Sequence, residues 1–189
     1  MCRLIQLLFV SLFCFAPVQA FEASQPEAEP SEAPEVPSSP CDGEGFHQFD
    51  FWLGDWEVTN TAGTLQGNNK VSSQEGGCLI LEEWTSASGG TGQSYNFYDP
   101  VKELWRQVWV SKGVIIDYTG GLTDRGSMKL TGEITYHASA TTAPFTGEWT
   151  LNADGSVTQH FEQYDSDKDT WNVWFTGIYR KSEGAPDAG

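Results

Sequence analysis

Beyond residue 54 the chain alternates between apolar and polar positions, and turn-forming residues recur at intervals of roughly 8 to 12. That spacing predicts an all-β sandwich or barrel rather than helices. Ten strands are expected: Asp55–Thr61, Thr64–Gln74, Cys78–Ser86, Gly92–Tyr98, Leu104–Val110, Val114–Gly121, Ser127–His137, Pro144–Leu151, Ser156–Tyr164 and Thr170–Arg180. Ala153-Asp154-Gly155-Ser156 gives the best hairpin signal, because Asp-Gly takes positive φ readily. Asp99-Pro100 and Lys112-Gly113 mark two further turns. Ten strands in simple succession predict a single closed antiparallel up-and-down barrel, since closure removes exposed sheet edges. His47 to Leu53 reads as one short helical turn plugging an end, and Gly54 releases the chain into the first strand.

Period-two alternation also assigns faces. Ile80, Glu82 and Trp84 share one face; so do Ser94, Asn96 and Tyr98, and Trp105, Gln107 and Trp109. On the later strands the sets are Gly147, Trp149 and Leu151, then Val157, Gln159 and Phe161, then Trp171, Val173, Phe175, Gly177 and Tyr179.

The first 40 residues do not fit this pattern. Arg3, the largely apolar stretch Leu4 to Phe15, and Val18-Gln19-Ala20 form a secretory signal over residues 1–20. Lipidation would need Cys14, but Phe13 stands where such signals carry a small residue. Residues 21–40 form a Pro-rich linker with five glutamates and no Lys or Arg, too polar to fold alone. Residues 41–181 are the barrel domain, and 182–189 a flexible tail. The protein is expected in the periplasm or secreted.

Cys2 and Cys14 leave with the signal, so Cys41 and Cys78 remain. In an oxidising compartment they are expected to form one disulfide. The alternatives are two free thiols or a metal pair, and two ligands do not make a zinc site. Net charge is −16, which repels nucleic-acid backbones and anionic membranes. No nucleic-acid partner and no membrane insertion after signal removal are expected.

The segment Phe49-Asp50-Phe51-Trp52-Leu53-Gly54-Asp55-Trp56-Glu57-Val58 resembles the opening motif of the DUF1579-like exported bacterial proteins, a calycin-like family. Further blocks carry the resemblance across nearly the whole domain: Gly77-Cys78 with Glu82 and Trp84; Ser94, Asn96, Tyr98 and Asp99; Trp105, Gln107 and Trp109; Met128, Leu130 and Gly132; Asp154 to Val157 with Gln159; and Trp171, Gly177, Tyr179 and Arg180. The resemblance implies a calycin or lipocalin-like barrel and no particular activity. Gly54-Asp55-Trp56 is also similar to the Gly-x-Trp signature of lipocalins, which implies Trp56 packed under Arg180 as a structural latch. The departure is Asp165 to Asp169, where a family glycine is missing; three alternating aspartates resemble a calcium loop but lack its Gly and distal Glu.

If the shared faces point inward, Glu82, Trp84, Ser94, Asn96, Tyr98, Gln107, Trp109 and Gln159 line a pocket of amides, hydroxyls and one carboxylate among indoles. Such a lining suits a small, partly polar hydrophobic ligand. A self-satisfied polar network holding the strands in register, in an envelope structural or interaction protein, is the alternative. An enzyme would have to use Glu82 as acid or base; no paired carboxylate, Ser-His-acid set or Gly-x-Ser-x-Gly is legible, so no catalytic residue is assigned. No histidine lies on the pocket faces, and no metal or cofactor is expected.

Overall fold

The computed structural model describes residues 39–182; the expected signal segment, most of the expected linker and nearly all of the expected tail lie outside them. A short helix α1 (Glu44–His47) and a 3₁₀ turn (Asp50–Trp52) precede the sheet. The strands are β1 (Gly54–Thr59), β2 (Leu65–Gln74), β3 (Leu79–Ser86), β4 (Thr91–Asp99), β5 (Leu104–Ser111), β6 (Val114–Leu122), β7 (Met128–Tyr136), β8 (Thr141–Leu151), β9 (Val157–Asp165) and β10 (Thr170–Lys181). Each strand pairs antiparallel with its sequence neighbour, and β1 pairs with β10 to close the barrel. This is the expected up-and-down barrel. The plug differs in detail, being two short turns around Phe49 rather than one.

Four hairpin tips share one construction. In Asn60–Gly63, Ser86–Gly89, Thr123–Gly126 and Asn152–Gly155 the glycine N–H donates to the carbonyl three residues back, at 2.8–3.0 Å. Only the glycine in each has positive φ, between 78° and 84°. The Asp154-Gly155 tip is therefore a three-residue loop with one left-handed position, not a turn with two. Asp154 Oδ1 instead accepts from the backbone N–H and hydroxyl of Ser156. Glu103, Ala140 and Asp169 occupy left-handed positions in three other tips, with φ of 52–54°. Asp169 thus stands where a glycine would fit the backbone best.

Alternation places the faces as expected on β3, β4, β5 and β9. Two strands depart from it. A bulge between Val173 and Phe175 inserts Trp174 into β10, and a one-residue insertion flips everything beyond it to the other face. Trp171 and Val173, expected inside, are therefore exposed. Leu151, at the end of β8, is also exposed.

The latch at the barrel end is also shifted by one residue. The β1–β10 register sets Trp56 opposite Lys181 and Glu57 opposite Arg180. Arg180 is exposed on the outer face. Lys181 places its ammonium 4.0 Å from the Trp56 ring centroid and donates to the Leu53 carbonyl. Trp56 is buried and its indole N–H donates to Trp52 O at 2.9 Å. The cation over the indole is thus lysine, and Arg180 has no part in it.

The Cys41–Cys78 disulfide joins the approach to the plug with the start of β3, with Cα atoms 5.2 Å apart. Ser39 Oγ reinforces the junction by donating to Gly76 O at 2.6 Å. Among the described residues no helix is long and apolar enough to cross a membrane.

Candidate functional site

The barrel interior has three levels. The first is the plugged end. Phe49 stacks on Trp52 with centroids 5.0 Å apart, and meets Trp105 and Trp149 edge-on at 5.7 and 5.3 Å. Phe49, Trp52, Trp105 and Trp149 are all buried, together with Met128 and Leu130. Their rings fill this end with apolar surface, which excludes water from it. Tyr98 belongs here. It packs against Phe46 at 5.2 Å and Trp105 at 6.1 Å, so it does not reach the cavity it was expected to line.

The middle level is a belt of buried polar side chains. Glu82 on β3 accepts from Asn69 Nδ2 at 2.8 Å on one oxygen and from Ser94 Oγ at 2.6 Å on the other. Asn96 Nδ2 donates to Ser94 Oγ at 2.9 Å and to Ile80 O at 3.0 Å. Gln107 Nε2 donates to Asn96 Oδ1, and Tyr118 Oη donates to Gln107 Oε1. Across the barrel, Tyr179 Oη donates to Gln159 Oε1 at 2.7 Å. Cross-strand register aligns this chain, with Asn96 opposite both Ile80 and Gln107, and Gln107 opposite Tyr118. Burial pushes the Glu82 carboxyl from the usual 4.5 up to about 7, while the bonds from Ser94 and Asn69 pull it down. Burial and the nearby Glu82 charge push the Tyr118 and Tyr179 hydroxyls well above their ordinary range.

The third level is a cavity of about 190 Å³ at the other end. Glu82, Gln107, Gln159, Tyr118 and Tyr179 form its polar floor; Trp84, Trp109, Ile116, Phe161, Trp174 and Phe175 form its wall. Four of the wall rings lie against inner-face glycines. A Cβ on Gly92 would sit 2.2 Å from Trp109, on Gly67 2.8 Å from Trp84, on Gly147 2.7 Å from Phe161, and on Gly177 2.7 Å from Phe175. With no side chain beneath them, these rings can lie flat along the wall instead of crossing the barrel. The void is a consequence of that seating. Trp174, turned by the β10 bulge, closes one side with its indole N–H 3.2 Å from Tyr136 Oη and its ring against Phe145.

No known protein-family model matches the chain, and no characterised protein is significantly similar to it. The site's meaning therefore rests on its own geometry. Of the eight residues expected to line a pocket, Glu82, Trp84, Gln107, Trp109 and Gln159 border the cavity. Ser94 and Asn96 are buried one layer behind, where they hold Glu82 and Gln107. Asn69, Tyr118 and Trp174 are missing from the expected set. Asn69 and Tyr118 lie on strands whose alternation also points them inward, two residues from Val71 and Ile116, so the signal was present. Trp174 had no such signal, because a bulge leaves no mark in the alternation it breaks.

The remaining titratable candidates lie elsewhere. His47 bonds Asp50 at 2.7 Å, and His160 bonds Thr176 at 2.8 Å. Asp165 is occupied by its own hairpin, accepting from the backbone of Asp167 and Lys168 and pairing with the Lys168 ammonium at 2.7 Å. Among the described residues no three His, Cys, Asp or Glu side chains gather in a way that could hold a metal ion.

Proposed function

We propose that this protein is an exported, calycin-like barrel of the DUF1579-like type that binds a small, partly polar hydrophobic molecule in its interior. The observation that carries the reading is the cavity: a void of about 190 Å³ walled by indole and phenyl rings over a carboxylate and two amides. Protein interiors are normally filled to crystal density, and the plugged end of this barrel is occupied by buried aromatic rings. A pocket that buries a ligand among aromatic faces, with a few fixed polar groups to orient it, is the usual form of a small-molecule site. The Gln159 amide, which borders the cavity, is one such group. The Cys41–Cys78 disulfide and the signal-like first 20 residues support export to the periplasm or beyond.

The second reading, an envelope structural or interaction protein, is favoured by one specific feature. The belt from Glu82 through Ser94, Asn96 and Gln107 to Tyr118 satisfies most of its own groups, as a register-fixing network would. Glu82 as an acid or base is the least supported, since it is the one carboxylate on the cavity.

Native mass spectrometry of the protein purified from its own envelope tests the pocket reading. A retained mass that denaturation releases, and that occupies one site per chain, is the expected result. Apo protein only, together with failure of any small aromatic compound to bind, would leave the structural reading standing.

A further inference from the structure

We propose that the molecule taken up by the cavity is an organic cation, a protonated amine on a body about the size of one ring; this rests on the pocket reading above. The cavity floor holds a carboxylate with no countercharge. Glu82 receives only an amide N–H and a hydroxyl, and no Lys, Arg or His is among the residues bordering the cavity. A buried carboxylate gains most from a partner of opposite charge.

The surroundings are rich in groups that accept a cation and poor in groups that accept an anion. Trp84, Trp109, Trp174, Phe161 and Phe175 line the wall, and the negative quadrupole of an aromatic face attracts ammonium groups. Tyr118 and Tyr179 have committed their protons to Gln107 and Gln159, so neither offers its O–H to an anion. Asn69 Oδ1, on the amide that donates to Glu82, is buried without a hydrogen-bond partner among the described residues. The donors that border the cavity are neutral amides and indoles, with no cation to hold an anion beside Glu82. The net charge of −16 concentrates cations around the molecule before they reach the cavity.

Size sets the rest. A cavity of about 150 Å³ accommodates benzene. One of about 190 Å³ has room for a single ring with a short amine-bearing arm, the amine on Glu82 and the ring among the indoles.

The experiment is isothermal titration of the full exported chain with three matched probes: 2-phenylethylamine, 2-phenylethanol and phenylacetate. At pH 8 the amine is expected to bind at least tenfold more tightly than the alcohol, and the carboxylate not measurably. At pH 5, with Glu82 protonated, the advantage of the amine should largely vanish. Glu82→Gln should remove the advantage of the amine over the alcohol at pH 8. Equal binding of amine and alcohol by the unaltered protein overturns the cation proposal while the pocket reading stands, and so does tighter binding of phenylacetate. That comparison needs no variant, so a misfolded Glu82→Gln protein does not rescue the idea. Binding of none of the three also overturns it, and the retained-mass measurement then judges the pocket reading separately.

Discussion

Glu82 makes the stability of this barrel depend on pH in a direction opposite to that of a salt-bridged carboxylate. Its carboxyl ionises near the ordinary 4.5 in the unfolded chain and at about 7 in the folded one. Below about pH 4.5 both states are protonated and burial carries no charge penalty. Between those values the unfolded chain releases the proton and the folded one keeps it, so stability falls as pH rises. Above about pH 7 both are ionised and the whole penalty is present. At about 1.4 kcal/mol for each pH unit of displacement, that penalty is about 3 kcal/mol. Glu82→Gln removes the charge and keeps the shape. Its amide can accept from Asn69 and donate to Ser94, leaving the Ser94 hydroxyl to find another acceptor at a cost of about 1 kcal/mol. The variant should therefore be more stable than the natural protein by about 2 kcal/mol at pH 8, and less stable by about 1 kcal/mol at pH 4.5. Urea unfolding followed by tryptophan fluorescence from pH 4.5 to 8.5 reads both curves, and their difference cancels every other carboxylate. Parallel curves would refute the argument, because they would mean that Glu82 ionises equally easily in both states.

Other consequences are as direct. Replacing Cys41 and Cys78 by serine together opens a 37-residue separation and should cost about 4 kcal/mol in the chain-entropy model, measured as a drop in urea midpoint. Ala140→Gly relieves a left-handed position at an exposed tip. It should stabilise by about 0.5–1 kcal/mol after the extra entropy of glycine is counted, and an unchanged or lower midpoint would contradict this. Gly92→Val puts a side chain where the Trp109 ring rests. The indole must swing into the cavity, with an overpacking cost of about 1–3 kcal/mol and a changed near-ultraviolet circular dichroism spectrum; retention of both the spectrum and the stability would show that the glycine is not a seat for the ring.

Much of this architecture was legible because strands repeat every second residue and turns announce themselves. Ten strands, their order and most inward faces follow from that period, and five of the eight expected lining residues border the cavity. The failures share a cause. At Trp174 and at Lys181 the truth lies one residue from the expectation, and one residue in a strand is a change of face. Neither the bulge nor the exact β1–β10 register is encoded in local alternation; both are set by how the closed barrel must match its two ends. Tyr98 has the right face but the wrong height. Alternation gives the side of the wall on which a residue lies and not its distance from the plug, so it cannot separate the filled end from the hollow one. The glycines were readable as weak points in strands, and their use as seats for aromatic rings emerges only once neighbouring strands are in register.

The stoppered end has a kinetic meaning. Phe49, Trp52, Trp105 and Trp149 stopper one end of the interior, so under the binding proposal a ligand would enter and leave by the other. A barrel used in that way would not pass cargo from one side to another as a pore does. It would hold a ligand for a dwell time set near Trp174, on the bulged, solvent-facing stretch of β10, and would move it only by moving as a whole.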